Sequence, residues 1–194
     1  TVIVEDGRFR CWYSAELAGE TRGTTVENGQ VMEVSGSALA YAESVDGLTW
    51  TKPSLGILSF QGSKENNLVS PWNNGGSVFR DDHGPPSERY KGFHFDKLPE
   101  EDIKAHPESN ARYGLFGVTS PDGLHWTLGK QPLVRYFCDT VNIAAWDPLL
   151  KKYVGYFRHH HSGRTISRSE TDDFHNWPPP QPFLYAGPLD APSD

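Results

Sequence analysis

One short phrase returns along this chain. Ser44-Val45-Asp46-Gly47-Leu48-Thr49-Trp50 recurs as Ser120-Pro121-Asp122-Gly123-Leu124-His125-Trp126 and, more loosely, as Thr171-Asp172-Asp173-Phe174-His175-Asn176-Trp177. In each copy a hydroxyl residue stands two positions before an Asp and six before a Trp. An internal repeat constrains the fold strongly, because each unit must be a supersecondary element that buries its apolar faces against copies of itself.

The surroundings repeat too. Each copy follows a short strand-like run, SALAYAES, RYGLFGVTS or RTISRSET, and precedes a second apolar run ending near Pro-Leu or Phe-Leu. Upstream lie two more runs per unit: TVIV and RFRCWYS, SVFR and RYKGFHF, VNIAAW and KYVGYFR. Within each pair the runs are joined by an acidic turn rich in Gly, Pro and Asp, the residues that tight turns need. Four short strands per unit, repeating at roughly 50 residues, predict an all-β chain: a β-propeller of four-stranded antiparallel blades, with about three blades here. The boundaries read as blade I over 1–60, blade II over 66–134, blade III over 138–186, and the start of a fourth over 187–194. An aromatic share of 12% with 19 Gly and 15 Pro agrees with many short strands and turns. The longer first spacing is taken up by KLPEEDIKAHPESNA, a polar insertion with room for one helical turn.

Three blades alone leave strand edges open to unwanted pairing. The remaining blades are therefore expected from the same protein or from another chain. The chain opens on Thr1-Val2-Ile3-Val4 without Met and stops at Asp194, so it reads as an excerpt. Its localisation is not legible, the periplasm and the cell exterior being the compartments considered. No run approaches the roughly 18 apolar residues of a membrane span. A net charge of −7 with no long basic run argues against nucleic acid, whose phosphates need a Lys/Arg stripe. A neutral, hydroxyl-rich ligand such as a carbohydrate suits this charge better. Cys11 and Cys138 are too few for a disulfide framework and lack metal-site spacing, so free buried thiols are expected.

Antiparallel strands sort the residues between two faces of a propeller. The turns between first and second strands, and between third and fourth strands, share one face, the far side. The second-to-third-strand turns and the entrances of the inner strands share the other, the mouth. The repeated phrase thus belongs to the far side, where Asp and Ser bond local backbone N–H groups, Gly permits positive φ and Trp covers the gap between blades. Asp6, Asp82 and Asp147 close first-to-second-strand turns there.

Counting back from these turns selects different residues. Asp139 stands eight before Asp147, and Asn74 eight before Asp82, each at the entrance of an inner strand. The mouth also receives the end of KYVGYFRHHH, hence Arg158, His159, His160 and His161, with Arg164 across a turn. Asp, Arg and His around a concave axis can bind sugar hydroxyls and tune a carboxylate. Asp139 is the candidate catalytic residue, with Asn74, Arg158, His160 and Arg164 as candidate substrate binders. The competing reading is structural pairing for Arg158 and a solvent loop for the histidines. No metal is expected at His159–His161, because neighbours on a strand point to opposite faces, and no cofactor motif occurs. Trp12 and Tyr13 could stack on sugar, though packing between blades competes for both.

The phrases YAESVDGLTWTKPSLGI, QGSKENNLV, ERYKGFHF, LFGVTSPDGLHW, DTVNIAAWDPLLKKYVGYFR and RTISRSETDDFHNW together resemble bacterial proteins described as glycosyl hydrolase family 32 N-terminal-like. These are similar to the five-bladed propeller glycosidases of families 32 and 43. The resemblance implies a five-bladed propeller with a carbohydrate funnel at its axis. It implies a general acid in a Glu-Cys-Pro motif opening the third inner strand, a place where this chain has Cys138-Asp139-Thr140. The second-blade Arg-Asp-Pro motif invites matching to Arg80-Asp81, but Asp81 closes an inner strand rather than opening one. On this basis the chain is read as part of a glycoside hydrolase-like protein using carboxylate acid/base chemistry, with Asp139 as acid or as modulator of a partner carboxylate. The alternative is a non-catalytic carbohydrate-binding or scaffold propeller.

Overall fold

The computed structural model describes residues 1–18, 25–27, 30–34, 36–72, 77–139, 141–160, 164–185 and 187. Three four-stranded antiparallel sheets follow one another along the chain, each a simple meander. The first holds β1 (Val2–Glu5), β2 (Arg8–Glu16), β5 (Ser37–Ser44) and β6 (Leu68–Ser70). The second holds β7 (Phe79–Arg80), β8 (Tyr90–Lys97), β9 (Tyr113–Ser120) and β10 (Thr127–Val134). The third holds β11 (Ile143–Asp147), β12 (Lys152–His160), β13 (Arg164–Thr171) and β14 (Gln181–Leu184). This is the pattern of successive propeller blades. The insertion between β8 and β9 carries one short helix, α1 (Glu100–Ala105), as its composition predicts.

Two features depart from the expectation. The connection from β2 to β5 contains an extra hairpin, β3 (Thr25–Glu27) and β4 (Gln30–Glu33), which no repeat signalled. The first sheet's fourth strand is Leu68–Ser70, so that sheet extends past residue 60. Thr51–Phe60, the stretch that follows the repeated phrase within the expected blade I, pairs with β5 only through an isolated bridge between Glu43 and Thr51. Pro53 has no N–H to give a ladder, and Gly56 sits at φ 70°, so the run cannot continue as a strand. It folds back instead, with Ser59 O accepting from Val34 N at 2.9 Å and Leu58 packing with Val34, Ala38, Ala40 and Leu68.

Strand alternation gives each sheet two apolar faces, and the inner faces meet in pairs. Trp12, Leu39, Tyr41, Tyr90, Val118 and Trp126 fill the space between the first and second sheets. Phe93, Leu115, Tyr153, Phe157, Phe174 and Trp177 fill that between the second and third. The repeated turns complete both layers. Asp122 Oδ1 accepts from Leu124 N and His125 N, each at 2.8 Å, and Ser120 Oγ accepts from Gly123 N at 2.9 Å. Asp46 and Ser44 repeat the arrangement. Gly123, at φ 79°, presents its carbonyl to Trp12 Nε1 at 2.6 Å, so the second sheet's turn is seated on the first sheet. Phe174 takes the same role toward the second sheet, stacked on Phe93 with ring centroids 5.8 Å apart. Trp126 and Trp177 are buried by this seating, whereas Trp50 is 37% exposed, because no described segment lies beneath the first sheet's turn.

Each sheet interface is also crossed by a carboxylate, a cation and a tyrosine. Between the first and second sheets Arg10 Nη1 donates to Glu5 Oε2 at 2.8 Å and to Tyr90 Oη at 2.5 Å, while Tyr90 Oη donates to Glu5. Between the second and third, Lys91 Nζ and Tyr153 Oη both donate to Asp81 Oδ2 at 2.7 Å. Lys91 and Asp81 are each only 1% exposed. Burial pushes the Asp81 carboxyl up, but the bonds from Lys91, Tyr153 and His83 N outweigh it and the net shift is downward. Burial and Glu5 push the Tyr90 hydroxyl up to about 12.

Three outcomes follow from this packing. A Cβ on Gly123 would lie 2.6 Å from Trp12 Cζ2, whereas one on Gly7, at φ 72°, meets nothing within 4 Å. In urea denaturation, Gly123→Ala is expected to lose about 1–3 kcal/mol more stability than Gly7→Ala. Lys91→Met strands a buried carboxylate and should cost roughly 3–5 kcal/mol, against roughly 1 kcal/mol for Tyr153→Phe. Burial raises the Asp122 carboxyl, but the bonds it accepts from His125, Leu124 and Ser120 prevail and lower it from 3.8 to about 2. Its stabilising contribution is full above pH 3.8 and falls away as the pH drops through 2. Acid titration of Asp122→Asn should therefore lack that component between those limits.

Candidate functional site

The segment that leaves β10 and enters β11 crosses the mouth end of the second and third sheets. Tyr136, Phe137 and Cys138 anchor it. Cys138 is fully buried in the layer between the two sheets. Burial pushes its thiol up to about 12, with the Asp139 charge adding in the same direction. Both cysteines are free, Cys138 buried and Cys11 only partly so. Burial also pushes the Tyr136 hydroxyl upward. The Tyr136 ring lies 5.0 Å, centroid to centroid, from His159.

Asp139 follows at φ 44°, a left-handed conformation that L-residues other than Asn and Asp rarely adopt. With Cys138 held in the core, this twist turns the carboxylate out toward the end of β12. There Asp139 Oδ2 accepts from Arg158 Nη1. The Asp139 side chain is 37% exposed and that of Arg158 22%, so the pair lies at the surface with solvent on one side. It sits on backbone strained in the manner often found at binding and catalytic centres.

One further side chain joins the group. Asn142, at the entrance of β11, is fully buried. Its Nδ2 donates to the Asp139 carbonyl at 2.9 Å, and its Oδ1 accepts from Arg158 N at 3.2 Å. Its own carbonyl accepts from Ser77 N, at 3.1 Å, on the chain leading into β7. In the sequence Asn142 is hidden within the strand-like run VNIAAW. The available signal was an amide between Val141 and Ile143, a polar group that burial would oblige to find partners.

Of the residues proposed from sequence, the structure joins Asp139 with Arg158. His160 stands directly opposite Arg164 in the β12–β13 ladder, at the same sheet end. Asn74 lies outside the described residues. Trp12 is 1% exposed and belongs to the core between sheets rather than to a sugar-facing surface. Tyr13 is half-buried, its hydroxyl accepting from Asn67 Nδ2 at 2.8 Å. Asp46 and Asp122 are turn residues at the opposite end of their sheets, and Asp81 lies within the interface cluster. Among the described residues no group of three or more His, Cys, Asp or Glu side chains could hold a metal ion.

A carboxylate and a guanidinium presented together offer acceptors and directional donors, the chemistry that reads vicinal sugar hydroxyls. No protein-family model and no curated protein matches this sequence. Among solved structures, a GH43 protein, BlXynB, from Bacillus licheniformis aligns over 98% of this chain and 31% of its own, with 14% identity and a TM-score of 0.48. An N-acetylgalactosamine deacetylase from F. plautii, solved in complex with blood group B trisaccharide, aligns over 96% of this chain with 12% identity and a TM-score of 0.56. The chain spans 53% of that deacetylase's length, and thus shares its fold with about half of it.

Proposed function

We propose that this chain forms three consecutive blades of a carbohydrate-processing propeller and that the Asp139–Arg158 pair is part of its glycan site. The carrying observation is the pairing itself: a carboxylate on left-handed backbone, bonded to an arginine at the mouth end of adjoining sheets. The shared fold with a deacetylase solved with a bound trisaccharide supports a carbohydrate as ligand. In this reading Arg158 fixes a sugar hydroxyl or a partner carboxylate. Asp139 acts in glycoside hydrolysis, as acid or as modulator of a second carboxylate across the scissile bond. Asn74, His160 and Arg164 complete the binding surface.

The outer face of the third sheet supports further blades. Tyr156 and Phe183 lie with ring centroids 5.7 Å apart, and with Ile166 they form an exposed apolar surface. On the inner faces, the corresponding positions are covered by the next sheet.

The experiment is glycan binding and turnover by the protein containing this chain, with blood group B trisaccharide and a glycan array as probes. A hydrolase should lose roughly 10²–10⁴-fold in turnover on Asp139→Asn while keeping most of its glycan affinity. Turnover unchanged by that substitution would remove Asp139 from the chemistry. Glycan binding without any turnover in the unsubstituted protein would establish the non-catalytic alternative.

A further inference from the structure

We infer that Asn142 is the positioning residue of the mouth, holding Asp139 and Arg158 in register by bonding the backbone of both. Its single amide group meets two different chain segments. One bond goes to the Asp139 carbonyl in the β10–β11 connection, the other comes from Arg158 N in β12. An amide supplies a donor and an acceptor from one rigid planar group. A carboxylate of the same length lacks the donor, and an aliphatic isostere lacks both.

The bond to Asp139 acts where the backbone needs it. A residue at φ 44° is held by its surroundings, since the left-handed region is intrinsically unfavourable for a side chain bearing Cβ. On one side of Asp139 the surroundings are buried Cys138, and on the other the Nδ2 of Asn142. With that amide removed, the 139 peptide can relax toward negative φ, and the carboxylate swings away from the guanidinium. Asn142 is itself tied down by full burial and by Ser77 N on its carbonyl, so the reference point is the second sheet as well as the third. The carboxylate, the arginine and the neighbouring sheet are thereby referred to one fully buried side chain.

The consequence for glycan turnover rests on the function proposed above, but the positioning role can be tested without any ligand. In nitrogen–proton NMR spectra of arginine side chains, a guanidinium held by a carboxylate shows slowed Nη–H exchange. The Arg158 signal is assigned by its disappearance in Arg158→Lys, and Asp139→Ala gives the exchange rate of the guanidinium without that carboxylate. Asn142→Ala and Asn142→Asp should both bring Arg158 to that faster rate. The Asp variant keeps an acceptor for Arg158 N but has no donor for the Asp139 carbonyl. Ser169→Ala, which removes the bond from Ser169 Oγ to Pro178 O at 2.8 Å in the same sheet, should leave the signal unchanged. If the Ala and Asp variants do not fold, Asn142→Ser serves, since one hydroxyl cannot span both partners. Its Arg158 exchange should quicken by up to about tenfold, the factor set by one ordinary hydrogen bond. Exchange at the unsubstituted rate in whichever Asn142 variants fold would overturn the inference. So would equal quickening in Ser169→Ala, which would mark the effect as general loosening. Failure of the protein to bind any glycan would remove the proposed function while leaving the Arg158 result standing.

Discussion

Each sheet in this chain is held to the next by a polar clasp at its far side and by a turn pressed onto its neighbour. A four-stranded sheet with two apolar faces has no stable existence by itself, so everything else depends on that junction. The clasp at the first junction is Glu5, Arg10 and Tyr90, and at the second Asp81, Lys91 and Tyr153. The strand registers show these to be corresponding positions: Ile3 lies opposite Arg10, Phe79 opposite Lys91, and Ala145 opposite Val154. The third sheet thus carries Val154 where the other two carry a cation. Buried ion pairs are costly to desolvate, and their retention at both junctions fits a role in setting how one sheet seats on the next.

The division of labour between the two ends follows from antiparallel topology. Turns that repeat with the blades gather at one end, and their Asp and Ser side chains are consumed by local backbone N–H groups. The other end receives the connections between sheets, which do not repeat. The connection into β11 combines two roles: Cys138 packs between the second and third sheets, while Asp139, on left-handed backbone, turns out to meet Arg158 of β12. The extra β3–β4 hairpin and the α1 insertion also fall in second-to-third-strand connections, at the mouth.

The repeat placed most of the strands, since alternation and turn chemistry are local properties. It also located Asp139 by counting back from Asp147. What it misassigned depended on distant partners. Thr51–Phe60 has the apolar content of a fourth strand, but Pro53 and Gly56 spoil its ladder and Leu68–Ser70 takes the place beside β5. Lys91, in a run otherwise reading as an ordinary exposed-and-buried alternation, is among the most deeply buried side chains because Asp81 and Tyr153 come to meet it from two sheets.

By itself the sequence determined the all-β class, the four-strand unit, the far-side role of the repeated turn and the face on which Asp139 would stand. These rest on periodicity and on turn residues whose conformational demands are short-range. Only the tertiary structure decided that Asp139 bonds Arg158, that Asn142 links both, and that Trp126 is buried while Trp50 is not. Those outcomes turn on which sheet lies against which, and a side chain's burial and hydrogen-bond partners are properties of that neighbour as much as of the residue.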